Sequence, residues 1–139
     1  MIELGDEKVL YAFDKELEPA LVVPSGTTVR VRTKDCFGNQ VQRPEDELDE
    51  IDWDHINPAT GPIFVEGAVP GGALKVTIEA IEFDGQTASC TGEGEGVCGD
   101  RFDAWSTHLC KIDGDELVWD EGLRIPLRPM IGVIGSEGT

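Results

Sequence analysis

Short apolar runs, broken by turn residues roughly every 8–12 positions, set the tightest limit on what this chain can fold into. The clearest run is residues 27–33, where Thr27, Val29, Val31 and Thr33 alternate with Thr28, Arg30 and Arg32. A period of two places the first set on one face of an extended strand and the second on the other, as in a half-buried sheet. Just before it, Pro24-Ser25-Gly26 is turn chemistry, because proline presets φ and glycine accepts a positive φ. Residues 9–13, 20–23, 63–65, 86–90, 105–112, 117–119 and 123–127 read as further strands. Residues 73–83 form the longest candidate, with Leu74, Val76, Ile78 and Ala80 alternating with Lys75, Thr77, Glu79 and Ile81. Asp84-Gly85 predicts a hairpin from that segment into 86–90, and Asp113-Gly114-Asp115 predicts another. Pro126 and Pro129 put the end of the strand they close at a sheet edge or at its exit from the sheet. Residues 131–134 read as a buried apolar strand that needs a partner to cover it. The expected fold is all-β, a sandwich or barrel-like domain spanning residues 1–139 as a single unit.

One segment breaks the pattern. Residues 43–53 are acidic, with Pro44 ahead of Glu45, Asp46, Glu47, Asp49 and Glu50. Proline in a first turn, followed by carboxylates at the positive end of the helix dipole, predicts a short helix near residues 44–51. Leu48, Ile51 and Trp53 would supply its apolar side.

Charge narrows the partners. The chain has 28 Asp plus Glu against 11 Lys plus Arg, a formal net charge of -17. Such a surface repels phosphate backbones and anionic headgroups, so the expected partners include no nucleic acid and no membrane. A small neutral or cationic ligand is easier to accommodate. The acid excess is spread along the chain, which fits a salt-rich cytoplasm that screens self-repulsion, or simply an acidic enzyme. No apolar run approaches the roughly 20 residues needed to span a bilayer. Glu3, Asp6, Glu7 and Asp14 do not suit a signal peptide, which predicts a cytoplasmic protein. Cys36, Cys90, Cys98 and Cys110 are then expected as reduced thiols, and no C-x-x-C spacing supports structural zinc.

Several segments carry possible chemistry. The glycines between residues 92 and 99 lack a Gly-Lys-Ser/Thr ending, and Glu93 and Glu95 would repel phosphate, so a loop is expected rather than a phosphate cradle. Asp52, Asp54 and His55 offer hard or borderline donors in a short span, so they are weak candidates for a divalent metal such as zinc or calcium. Asp35-Cys36-Phe37-Gly38-Asn39-Gln40 brings a carboxylate and two amides to the end of a strand, and amides suit the reading of another amide. Cys36 is either a nucleophile or, more simply, a small buried hydrophobe. Residues 57–67 have a backbone fixed by two prolines and two glycines. There Glu66 follows three apolar residues and shares a strand face with Phe64. Burial at that point would raise its pKa toward general-base territory; the bland alternative is a strand-end ion pair.

At these residues the chain resembles the acetamidase/formamidase family. The resemblance rests on Asp35-Cys36-Phe37-Gly38-Asn39-Gln40, on Asp52-Trp53 followed by Asn57-Pro58-Ala59-Thr60-Gly61-Pro62, on Val65-Glu66-Gly67-Ala68 with Pro70-Gly71, and on Pro129-Met130-Ile131-Gly132-Val133-Ile134-Gly135. It implies an all-β fold and hydrolysis of short linear amides, formamide or acetamide, to acid plus ammonia. It implies Glu66 and Asp35 as catalytic residues, and Asn39, Gln40, Thr60 and Gly61 as substrate-binding residues, at a metal-assisted or carboxylate-assisted site. The match covers only the family's N-terminal half; the Gly-Gly-Asn-Met-Asp and Asp-x-His segments of its C-terminal half are absent. A second half-chain or a homo-oligomer is therefore the expected partner, together with a small-molecule amide. The alternative is a non-catalytic binding or structural module on the same scaffold.

Overall fold

A computed structural model describes residues 1–136. The chain is all-β, and its sheets do not close into a barrel among the described residues. It divides into two compact units: Met1–Gly38, Asp54–Ile78 and Ile131–Thr139 form the first, Asn39–Trp53 and Glu79–Met130 the second.

The first unit holds six short strands: β1 (Ile2–Leu4), β2 (Val9–Leu10), β3 (Leu21–Pro24), β4 (Val29–Val31), β5 (Ala59–Thr60) and β6 (Ile63–Glu66). They make three separate two-stranded pairs: β1 with β4 in parallel, β3 with β6 in parallel, and β2 with β5 antiparallel. The turn at Pro24-Ser25-Gly26 forms, with the Thr27 N–H donating to Pro24 O at 3.3 Å and Gly26 at φ 85°. It separates β3 from β4 instead of pairing them. Each takes a parallel partner distant in sequence, for which no local turn leaves a signal.

The second unit is a four-stranded antiparallel meander in the order β10-β9-β8-β7. Its strands are β7 (Gln86–Thr91), β8 (Ser106–Asp113), β9 (Glu116–Val118) and β10 (Arg124–Pro126). The hairpin at Gly114 forms as expected, with Asp113 opposite Glu116 and Gly114 at φ 60°. Pro126 lies on edge strand β10, where its missing N–H removes no ladder bond within the sheet. Val41, Leu48 and Cys110 are buried here, whereas among the described residues of the first unit the buried hydrophobe is Val23.

Three sequence expectations are corrected. Residues 44–51 are not a helix; they form two turns, closed by Asp46 N–H to Arg43 O and Glu50 N–H to Glu47 O, both at 3.1 Å. Acids four apart, Glu45 with Asp49 and Asp46 with Glu50, oppose a helix that is already too short to hold itself. The Asp46 carboxylate also captures the N–H groups of Gln42 and Arg43, each at 2.8 Å. Leu48 is buried all the same. Residues 73–83 do not pair with 86–90: β7 runs antiparallel to β8 from Gln86↔Lys111 to Thr91↔Ser106, and Gly85 O accepts from the Ile112 N–H at 2.9 Å. Residues 131–134 carry no strand, and Ile134 is exposed.

Candidate functional site

The first unit joins two of the loops that carry the motifs. Asn57, itself at φ 53°, donates its N–H to Cys36 O at 2.7 Å. Upstream of that link, the Asp35 carboxylate accepts from Phe37 N–H at 2.9 Å, and Asp35 O accepts from Gly38 N–H at 3.0 Å, a turn that an Asp side chain stabilises by standing in for backbone. Downstream, Thr60 Oγ1 donates to Arg32 O at 2.9 Å, and Gly61 N–H donates to Lys8 O at 3.2 Å. Gly61 is buried at φ 145°, a backbone that a side chain would strain. Thr60 and Gly61 thus direct their donors into their own scaffold and hold the rim in place. The hydroxyl oxygen of Thr60 keeps acceptor capacity.

Glu66 closes β6. It shares an exposed face with Phe64, and the burial that would turn it into a general base is absent in this chain. Burial alternates along β6 as the sequence pattern predicts, with the outward side facing solvent. Asp35 is exposed as well. Cys36 is exposed too, contrary to the buried-hydrophobe expectation; the deeply buried thiol is Cys110.

In the second unit, Asn39 is exposed at φ 63°, a left-handed conformation that asparagine tolerates. Gln40 engages a backbone amide from both sides. Its Nε2 donates to Asp52 O at 3.2 Å and its Oε1 accepts from Asp52 N–H at 2.8 Å. This is the amide-to-amide recognition expected of Gln40, directed here at the protein's own chain. Gln40 also lines a recess of about 170 Å³ with Asp46, Glu47, Glu50 and Ile51. Asp46 anchors that loop. Its carboxylate also receives Arg43 Nη2 at 2.8 Å, and its carbonyl accepts from Thr107 Oγ1 at 2.9 Å. The N–H of Gln42, then the Arg43 guanidinium, hold the Asp46 pKa below its ordinary value.

The metal expectation for Asp52, Asp54 and His55 is not met. Among the described residues no three His, Cys, Asp or Glu side chains gather closely enough to hold an ion. The turn Trp53–His55 is a single 3-10 turn, and the His55 ring packs edge-on to Tyr11 with centroids 4.8 Å apart. Among the described residues these donors therefore form no metal site of their own. His108 is a packing residue, stacked on Trp119 at 4.4 Å with Nε2 2.7 Å from Trp119 O. The glycine-rich loop is tied to itself by Gly94 N–H to Gly99 O at 3.1 Å. The Trp105 indole occupies the space where a side chain at Gly92 would go. That packing role had no local signal in the sequence.

The model of the acetamidase/formamidase family matches residues 4–137. The crystal structure of an acetamidase from Bacillus halodurans is 42% identical with a TM-score of 0.92, covering 98% of this chain and 46% of that one. A recombinant predicted acetamidase/formamidase from the thermophile Thermoanaerobacter tengcongensis is 45% identical with a TM-score of 0.91, covering 98% of this chain and 45% of that one. An acetamidase from Yersinia enterocolitica, 16% identical with a TM-score of 0.65, shares the fold over 90% of this chain and 43% of its own. Among curated proteins, none matches the chain. The chain spans less than half the length of each of these solved structures.

Proposed function

Because the chain belongs to the acetamidase/formamidase family, we propose that it supplies part of a hydrolase that cleaves short linear amides, formamide or acetamide, to the acid and ammonia, working with a second half-chain or as an oligomer. The observation that carries this reading is the Asn57 N–H to Cys36 O bond of 2.7 Å. It joins two family-motif loops, far apart in sequence, within one compact unit.

In this reading Glu66 is the acid/base. It takes a proton from the attacking water and returns one to the departing nitrogen, so that water's oxygen bonds to the acyl carbon as the C–N bond breaks. Asp35 is the second carboxylate. As an acceptor-only group it suits the N–H donors of a primary amide. Thr60 and Gly61 fix the rim, with the Thr60 oxygen open to accept from the same amide. Asn39 and Gln40 follow Asp35 in the chain and belong to the same reading as substrate-binding residues. Glu66 is exposed, so the desolvation that tunes it has to come from the partner polypeptide. The thiols, none of which forms a disulfide, fit a reducing, cytoplasmic setting.

The test is ammonia release from formamide and acetamide, measured with the chain alone and with the remaining half supplied. Activity should appear on assembly, and Glu66→Gln should lower it by about 10²–10⁴-fold. Silence in a correctly assembled complex ends the proposal. A second reading, a non-catalytic binding or structural module, is favoured by the Thr60 and Gly61 donors being committed within the scaffold. It predicts that Glu66→Gln changes assembly and stability little.

A further inference from the structure

The sequence holds two Asp-Gly pairs, Asp84-Gly85 and Asp113-Gly114, both in the second unit. Each predicts a hairpin, but the fold treats them differently. Asp113 ends β8 and stands opposite Glu116 across the β8–β9 hairpin. Its Oδ2 accepts from Arg124 Nη1 at 3.0 Å, and the same nitrogen donates to Glu116 Oε2 at 3.1 Å. Asp84 has neither restraint. Its hairpin does not form, and Asp84-Gly85 lies outside every strand, directly ahead of β7. Among the described residues the Asp84 carboxylate has no hydrogen bond or ion pair, and neither the Asp84 backbone nor the Gly85 N–H is hydrogen-bonded. Both residues are exposed. Gly85 stands at φ 88° with open space where a Cβ would be.

An aspartate carboxyl and the next backbone nitrogen close a cyclic imide when the main chain is free to turn them together. A side chain on the following residue hinders that closure, and glycine removes the obstacle. A ladder residue is held extended by its cross-strand bonds, so it closes only after local opening. The Asp113–Arg124 pair is itself solvent-exposed and adds little; the ladder supplies most of the restraint at Asp113.

We propose that Asp84-Gly85 is a site of spontaneous covalent modification, passing through a cyclic imide to an isoaspartyl link, while the fold protects Asp113-Gly114. The Gly85 nitrogen gives its proton to a solvent base and attacks Asp84 Cγ. The N–Cγ bond forms, a Cγ–O bond breaks, and that oxygen leaves as water. Water then adds to one of the two imide carbonyls. Cleavage of the N–Cγ bond restores aspartate. Cleavage between the Gly85 nitrogen and the Asp84 main-chain carbonyl leaves the chain running through the Asp84 side chain, one methylene longer, with a free α-carboxylate. Water is the other reactant. The longer link falls just before β7, beside the bond from the Ile112 N–H to Gly85 O at 2.9 Å, so it loosens the start of the β7–β8 pairing. None of this depends on the hydrolase reading.

The experiment ages the full chain at neutral pH and physiological temperature, in native buffer and in concentrated urea. Peptide mass spectrometry reads the imide, lighter by one water, and locates isoaspartate by fragmentation. An isoaspartate-specific carboxyl methyltransferase with labelled S-adenosylmethionine counts the free α-carboxylates. In native buffer, conversion at Asp84 should run at least about tenfold ahead of Asp113, the difference being the opening that the ladder demands. In urea the two rates should converge to within about threefold, because that restraint is gone. Exchange of the Ile112 amide should quicken in converted chains, and Asp84→Glu, which cannot close the same ring, should abolish conversion at 84. The proposal is overturned by a native chain that shows no conversion at Asp84, by Asp113 keeping pace with it, or by a native ratio that persists in urea, which would assign the difference to neighbouring residues rather than to the fold. These three outcomes are read on the unaltered chain, so they stand whether or not the variant folds.

Discussion

The two units bury their hydrophobic residues to different degrees. In the second, β7, β8, β9 and β10 are adjacent in both sequence and space, and Val41, Leu48 and Cys110 are nearly sealed. Among the described residues of the first, three separate pairs join distant segments, two of them in parallel, and Val23 is the buried hydrophobe. Val22 and Phe64, opposite each other on β3 and β6, are both about half exposed. A meander closes short loops and recovers their entropy at once. Parallel pairing must close long ones before any contact repays them. The second unit therefore stands on local contacts, and the first on contacts between segments distant in sequence.

Substitutions can break this contrast. Leu48→Ala removes a buried side chain from the second unit and should cost about 2–5 kcal/mol, read as a lowered urea midpoint. If the cost were no larger than at an exposed site, the second unit would not be the self-sufficient one. Gly92→Ala forces a methyl group against the Trp105 indole and should cost about 1–3 kcal/mol by the same measurement.

A pH titration sharpens the picture of how the acidic loop is held. The native Asp46 pKa lies below its ordinary value of 3.8 because backbone and guanidinium donors favour the carboxylate. Its stabilising contribution is thus fully present above the unfolded value and is lost as pH falls through the native one. Asp46→Asn should be less stable at neutral pH and should lose part of the steep acid limb; an unchanged acid limb would remove this role. The smallest effect belongs to the first unit. Phe64→Ser should change the stability of the chain alone by no more than about 1 kcal/mol, because the residue is already about half exposed. A large loss would show that this face is already packed.

What could be read from the sequence follows the same divide. The Asp113-Gly114-Asp115 hairpin and the edge position of Pro126 were legible because a turn and its flanking strands are neighbours in the chain. The partners of β1, β3, β4 and β6 were not, since parallel pairing leaves no signature at a short range. Residues 73–83 show where alternation alone misleads: the pattern reads as a strand, but none forms there among the described residues. No helix forms at 44–51 because repulsion between acids four apart outweighs their favourable place on a helix dipole. At the candidate site, the motif loops were legible as family residues and their turn chemistry as local physics. The Asn57 to Cys36 link, the internal use of the Gln40, Thr60 and Gly61 donors, and the exposure of Glu66 depend on which distant backbone each group meets.

Cys110 sits opposite Thr87 in β8, is 1% exposed, and has its thiol pKa raised by burial. Both access and thiolate supply are therefore shut off while the sheet is intact. An alkylating reagent will find the exposed Cys36 and Cys98 at once, and Cys110 only when β7 parts from β8. The chain thus carries an internal clock for the opening of its meander, with two fast thiols to set zero time and a slow one to count from it.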